Sequence, residues 1–252
     1  MTVYFVGAGP GDAELITVKG ARLLGEADLI LYAGSLVNKD ILVHAGKKTR
    51  IEDSAGLNLD EQVKMMAEAL QEGKKVVRLH TGDPALYGAI QEQMDALQKQ
   101  GIESIMVPGV SSYAAAAAAV GRELTLPEVS QTVIITRLAG RTPVPQKENL
   151  ASLAAHRASM CIFLSVGMMD KVVTELQEEY PAETPVAVVE KASWPGERAI
   201  RGTLADIAQK VQEAGITKTA MILVGEFLGK EDYVPSRLYA AEFSHEYRKA
   251  QD

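Results

Sequence analysis

Cysteine is almost missing from this sequence: Cys161 stands alone among 252 residues. No intrachain disulfide can form. The residue sits in the apolar run Met160-Cys161-Ile162-Phe163-Leu164, where it reads as a small buried hydrophobe in a reducing compartment. Aromatic residues are scarce, at 5%, and basic residues are outnumbered: 26 Lys and Arg against 33 Asp and Glu leave a net charge of -7. Without interleaved aromatic and basic residues, an acidic chain does not favour nucleic acid as a partner, although a local basic pocket is compatible with it. Long hydrophobic runs are missing as well. The longest uncharged stretch, residues 104–121, is interrupted by Pro108, Gly109, Ser111 and Ser112, and no positive residue precedes Lys19. Neither a membrane span nor an export signal fits that pattern. The expectation is a soluble, cytoplasmic protein with no membrane partner.

Several catalytic signatures are absent too. The chain has no G-x-x-x-x-G-K-[ST], no G-x-S-x-G and no H-E-x-x-H, and its four histidines, His44, His80, His156 and His245, are scattered. No metal site is expected from such spacing.

What the sequence does contain is alternation. Val3–Val6, Leu29–Tyr32, Val76–Leu79 and Ile105–Val107 read as buried strands. Between them, Thr17–Leu24, Leu59–Gln71 and Ala85–Gln100 carry apolar residues at helical spacing, and a further helix starts at Ser111 and runs through the alanines Ala114–Ala119. Strands alternating with helices imply a mainly parallel sheet covered on both faces. After Leu124-Thr125-Leu126-Pro127 the pattern restarts with fewer helices per strand: strands at 132–136, 160–164, 186–189, 199–203 and 220–224, and helices at about 169–180 and before Ala214. A mixed sheet follows from that. The expected organisation is an α/β protein of two α/β domains, 1–124 and 128–235, with a ligand cleft between them, and a helical tail over 236–252.

Three glycine-bearing loops follow predicted strands, where open α/β sheets place their ligands. The first is Gly7-Ala8-Gly9-Pro10-Gly11-Asp12. It fails as a dinucleotide loop, because its third glycine comes one position early and Pro10 removes a backbone N–H. A turn that lets a flat ligand approach the backbone is the better physical reading. The second is Thr81-Gly82-Asp83-Pro84, in which Asp83 reads either as an N-cap, with Pro84 opening a helix, or as a ligand contact. The third is Pro108-Gly109-Val110-Ser111-Ser112, and Ser111 carries the same two readings.

In this order and spacing, Gly7–Asp12, Gly82–Pro84 and Pro108–Ser112 resemble the tetrapyrrole methylase family of S-adenosylmethionine-dependent enzymes. Later echoes fit as well: Val166-Gly167-Met168, the segment 190–198 and the strand 220–225. The resemblance implies two α/β domains, usually homodimeric, that transfer a methyl group from S-adenosylmethionine to a precorrin-type macrocycle and release S-adenosylhomocysteine. By motif, the donor contacts would be Pro10, Thr81, Gly82, Asp83, Leu86, Ser111, Ser112, Val166, Ala192, Ala220 and Met221. Gly7, Gly9, Gly11, Asp12 and Ser35 would face the tetrapyrrole. The uroporphyrinogen III branch carries an acid and a lysine where this chain has Ala33 and Asp53, whereas Leu31-Tyr32-Ala33-Gly34-Ser35-Leu36-Val37 is similar to the precorrin-4 and cobalt-precorrin-4 C11-methyltransferase branch. That branch implies methylation of C-11 in cobalamin biosynthesis. The alternatives are methylation at C17 or C20, an rRNA-modifying methylase, and a non-catalytic nucleotide-binding regulator.

Methyl transfer from a sulfonium needs no protein nucleophile, so binding and orientation dominate. A base would help remove a proton from the methylated carbon. Tyr32, Ser35, Asp53 and Tyr87 are the candidates, each with a plain structural alternative; Ser35, for instance, could cap a helix beginning near Asn38. Substrate carboxylates call for cations, for which Lys19, Arg22, Arg122, Arg137, Arg141, Arg198 and Arg201 are available.

Overall fold

The computed structural model of the chain describes residues 1–240 and 242–250. The chain divides into two units: Met1–Ala115 with Lys191–Glu197, and Ala116–Glu190 with Arg198–Asp252.

In the first unit, β1 (Thr2–Gly7), β2 (Leu29–Tyr32), β3 (Arg50–Asp53), β4 (Val76–His80) and β5 (Glu103–Val107) form an all-parallel sheet in the order β3-β2-β4-β1-β5. β2 and β4 lie inside it and every one of their residues is buried; β2 accordingly reads as a continuous apolar run, while β4 buries Arg78 and His80 among its apolar residues. Alternation along the strands sorts the two faces. Val3, Phe5, Leu29 and Leu31 pack under α2 (Leu59–Gln71) and α3 (Gln91–Gln98), which contribute Val63, Met66, Leu70 and Leu97. Val6, Ile30, Tyr32, Val77 and Leu79 face the other way, against Leu23 and Leu24 of α1 (Val18–Glu26). Thr17 caps α1 by accepting from Gly20 N–H, and Asn58 with Glu61 closes a capping box on α2. The alanine run forms α4 (Ser112–Val120), burying Ala115, Ala116, Ala117 and Val120.

The second unit holds β6 (Val133–Arg137), α5 (Leu150–Ala154), β7 (Ser159–Phe163), α6 (Met169–Leu176), β8 (Pro185–Glu190), β9 (Arg198–Thr203), α7 (Ile207–Glu213) and β10 (Ala220–Val224). Its sheet runs β6-β7-β10-β8-β9, with β6 and β7 parallel and the remaining pairs antiparallel. The expected α/β architecture, one parallel sheet and one mixed, is present. The core gathers Met160, Ile162, Val172, Leu176, Val188, Ile207, Ile222 and Val224. Cys161 is fully buried in β7, and burial pushes its thiol up to about 12, so it is chemically silent at neutral pH.

Four local expectations are corrected. The helix expected over 85–100 begins only at Gln91, because Tyr87 and Ala89 hold left-handed backbone (φ 54° and 49°) and no helix can pass through them. Pro84 therefore opens a turn, not a helix. The helix expected to 180 ends at Leu176, and Tyr180 is instead buried with its hydroxyl donating to the Ala158 carbonyl at 2.5 Å. The tail expected to be helical has only the 3-10 turn Arg237–Tyr239 and a short bridge between His245 and Arg248 among its described residues; residues 241, 251 and 252 lie outside the description. No helix among the described residues is long and apolar enough to cross a membrane.

Candidate active site

β1, β4 and β5 end side by side, with Gly7 opposite His80 and Val6 opposite Val107. The pairing then continues past the strand ends. Ala8 N–H donates to the His80 carbonyl at 2.7 Å, Gly82 N–H to Gly9 at 2.8 Å and Gly9 N–H to Gly82 at 3.3 Å. Gly9 and Gly82 adopt φ of 78° and 58°, the left-handed region that glycine enters without steric cost. A Cβ on Gly7 would lie 2.6 Å from the Gly82 carbonyl oxygen and 2.7 Å from Gly109 Cα, and a Cβ on Gly109 would collide with that same oxygen. The three loops therefore lock together through bare backbone.

Asp83 ties the second loop to the third. Its Oδ1 accepts from Ala85 N–H at 2.8 Å and its Oδ2 accepts from Gly109 N–H at 3.3 Å. The local cap that the sequence allowed is therefore real, but it caps a turn and reaches across to a neighbouring loop. Ser111 is buried and precedes α4, its carbonyl accepting from Ala114 and Ala115. Thr81, Leu86 and Ser112 sit beside these residues, each partly exposed.

The first loop is clamped from residues distant in sequence. Trp194 Nε1–H donates to the Pro10 carbonyl at 2.8 Å, Ser193 Oγ accepts from Asp12 N–H at 3.0 Å, and Asn38 Nδ2 donates to the Gly11 carbonyl at 2.9 Å. A Cβ on Gly11 would overlap the Trp194 ring. Ala192 is buried in the same segment, and Ser193 holds a positive φ of 67°. Nothing in the local sequence near Pro10 announces this tryptophan.

Of the base candidates, Tyr32 is buried in the core and Ser35 is exposed. The cap expected of Ser35 belongs to Asn38, whose side chain accepts from Asp40 N–H at the start of the 3-10 turn Lys39–His44. Asp53 Oδ1 accepts from Gly34 N–H at 3.1 Å and Ala55 N–H at 2.9 Å, which makes it the organiser of the Ala33–Ser35 loop. Tyr87 is 44% exposed and lines a pocket of ≈ 360 Å³ at the carboxyl end of β2 and β4. Arg78 and His80 line the same pocket. Arg78 is 3% exposed, and burial lowers its pKa to about 10, leaving it a cation. His80 is 5% exposed; burial, reinforced by the Arg78 charge, pushes it down to about 3, so its ring is neutral at pH 7. Arg78 is not among the candidate residues named from the sequence. The signal was there, a charge inside the strand run Val76-Val77-Arg78-Leu79.

In the second unit, Val166 starts a 3-10 turn after β7 and is buried. Ala220 opens β10 opposite Glu190 and shares a core cluster with Val166, while Met221, opposite Val189, points to the other face. Most of the candidate cations have partners elsewhere. Arg22 pairs with Glu26 and Arg198 with Glu190, Arg137 donates to the Thr142 and Pro143 carbonyls, Arg201 to the Val120 carbonyl and Arg122 to that of Lys230. Among the described residues no group of three His, Cys, Asp or Glu side chains could hold a metal ion.

Comparison with known proteins places this geometry. The family model for tetrapyrrole (corrin/porphyrin) methylases matches residues 2–208. The cobalt-precorrin-4 C(11)-methyltransferase of Methanocaldococcus jannaschii is 59% identical over 249 residues, covering 98% of this chain and 96% of that protein. The X-ray structure of a cobalt precorrin-4 methyltransferase, a cobalamin biosynthetic enzyme, superposes with a TM-score of 0.89 at 48% identity, over 91% of this chain and 96% of that one. The Thermus thermophilus uroporphyrin-III C-methyltransferase, solved with S-adenosylhomocysteine, gives 0.76 at 29% identity, over 93% and 98%. With three glycine loops interlocked at the strand ends and the family match running through both units, this chain belongs to the tetrapyrrole methylase family.

Proposed function

We propose that the chain is an S-adenosylmethionine-dependent C-methyltransferase that methylates C-11 of precorrin-4, free or as its cobalt complex, to give the corresponding precorrin-5 in cobalamin biosynthesis. The 59% identity across nearly the whole chain to a cobalt-precorrin-4 C(11)-methyltransferase carries this reading. The loop geometry supports it: Gly7 and Gly109 pack directly against the Gly82 carbonyl, so the loops present fixed backbone groups, which suit a donor without phosphate.

The donor supplies an electrophilic methyl group on a sulfonium when bound. In this reading Pro10, Thr81, Gly82, Asp83, Leu86, Ser111, Ser112 and Ala192 in the first unit, and Val166, Ala220 and Met221 in the second, contact it. Gly7, Gly9, Gly11, Asp12 and Ser35 serve the macrocycle. Holding two reactants in line can contribute roughly 7–11 kcal/mol to lowering the barrier, so orientation is the protein's main work. Loops fixed by mutual backbone bonds suit that task better than flexible side chains. Tyr87 is the candidate that lines the pocket, and it takes the role of moving the proton lost after methylation.

The chain acts in the cytoplasm as a homodimer. The exposed apolar residues Leu238, Tyr239, Phe243 and Tyr247 near the C-terminus support an interface there. Sedimentation at micromolar concentration tests this part: a monomer contradicts it. The activity is tested by incubation with S-adenosylmethionine and precorrin-4 and its cobalt complex, followed by location of the new methyl.

A further inference from the structure

We propose that the pocket beneath the Tyr87–Ala89 loop is a binding site for a single carboxylate group, held by Arg78 and His80. Building on the function proposed above, we assign its occupant as one peripheral carboxylate of the macrocycle. Arg78 and His80 lie two residues apart on β4 and so present their side chains on one face, the face covered by α2 and α3. Arg78 donates to Gln93 Oε1 at 3.0 Å, to the Leu31 carbonyl at 3.1 Å and to Gln62 Oε1 at 3.0 Å. Every one of these acceptors is uncharged. No carboxylate makes an ion pair with Arg78 among the described residues, although buried cations are normally paired. A guanidinium has five N–H donors, so two remain beyond these bonds.

His80 supplies the second observation. Its Nε2 is buried with no hydrogen-bond partner, and its ring is held by stacking on Phe5, with centroids 6.2 Å apart. A buried polar atom left unpaired beside an uncompensated cation calls for an anion that can also accept a hydrogen bond. A carboxylate does both: one oxygen takes the guanidinium donors, and the other accepts from the ring in its Nε2–H tautomer. The single acidic residue in the lining, Glu92, sits exposed at the rim. Carboxylates occur on both the macrocycle and the amino-acid end of the donor. The macrocycle is the better source, because the lining includes Ala33 and Leu36 around Ser35 and, of the proposed donor contacts, only Thr81.

Titration of ¹⁵N-histidine-labelled protein with sodium propionate tests the site directly. The expected result is a saturable shift of the His80 ring nitrogens, assigned by their disappearance in His80→Phe. The shift persists at saturating S-adenosylhomocysteine, survives in weakened form in Arg78→Lys and is absent in Arg78→Met. Steady-state kinetics give an independent reading: His80→Phe, which keeps the stack on Phe5, raises KM for the macrocycle about tenfold and changes kcat little, as loss of one hydrogen bond to a charged group predicts. The second reading stands even if Arg78→Met does not fold. No saturable shift, together with an unchanged KM, overturns the site. Abolition of the shift by S-adenosylhomocysteine overturns the macrocycle assignment in favour of the donor's carboxylate. A propionate response in a protein that methylates no precorrin supports the carboxylate site and removes the methyltransferase reading instead.

Discussion

The indole of Trp194 donates its Nε1–H to the carbonyl of Pro10 at 2.8 Å, across 184 residues of sequence. Pro10 has no N–H of its own, so its carbonyl is the peptide group through which this residue of the first glycine loop can be fixed. The adjacent Gly11 leaves the space that the Trp194 ring occupies. Replacing Trp194 by Phe removes one hydrogen bond, worth about 1 kcal/mol, and is expected to weaken S-adenosylhomocysteine binding about fivefold. Calorimetric titration measures it; an unchanged affinity would mean that the clamp does not shape the donor site.

Gly109→Ala places a methyl against the Gly82 carbonyl, a backbone atom held by Gly9. Overpacking of this kind costs about 1–3 kcal/mol. Chemical denaturation should show that loss, together with a larger loss of donor affinity than Gly73→Ala produces. Gly73 is a comparison site because its positive φ of 75° strains any side chain, yet nothing lies within 4 Å of its Cβ position.

Asp83 accepts two backbone N–H groups from different loops. Asp83→Ala is expected to cost about 1–2 kcal/mol of stability and to weaken S-adenosylhomocysteine binding, because both loops lose an anchor. Full donor affinity in a folded Asp83→Ala protein would reduce this residue to a turn cap.

Tyr87→Phe keeps the ring at the rim of the pocket and removes the hydroxyl. General acid–base assistance typically contributes about 10²–10⁴-fold, so kcat should fall at least toward the low end of that range while KM holds. Equal loss in KM alone would assign the hydroxyl to binding.

His80 also makes stability depend on pH. Its folded pKa of about 3 lies below the ordinary histidine value, so between those limits the unfolded chain binds the extra proton. Stability is therefore complete above about pH 6.5 and declines as pH falls toward 3, by about 2–3 kcal/mol at pH 4.5. Urea unfolding of wild type and His80→Phe at pH 7 and 4.5 isolates the effect. The variant should lose less on acidification, and parallel losses would contradict the buried neutral histidine.

Sequence pattern exposed the sheets well where strands are buried on both faces, as at Leu29–Tyr32 and Ala220–Val224, whose bounds match the structure residue for residue. It missed β3, because Arg50-Ile51-Glu52-Asp53 is an exposed edge strand whose charges protect it from pairing and hide its period. It overran α3 because Ala85, Leu86 and Ala89 carry helical spacing while Tyr87 and Ala89 carry left-handed backbone. The glycine loops were legible as loops, and their mutual locking was not. Gly7, Gly82 and Gly109 are brought together by strand order, which places β1 between β4 and β5. Trp194 escaped for the same reason: its partner is set by topology, not by neighbours in sequence, whereas Arg78 is marked locally as a lone charge within an apolar strand run.

The most direct test is the position of the transferred carbon. Purified protein, S-adenosylmethionine labelled with ¹³C in the methyl group, and precorrin-4 or its cobalt complex should yield a product whose labelled methyl resonance is assigned to C-11. A methyl on any other carbon, or no transfer to either form of the substrate, contradicts the account.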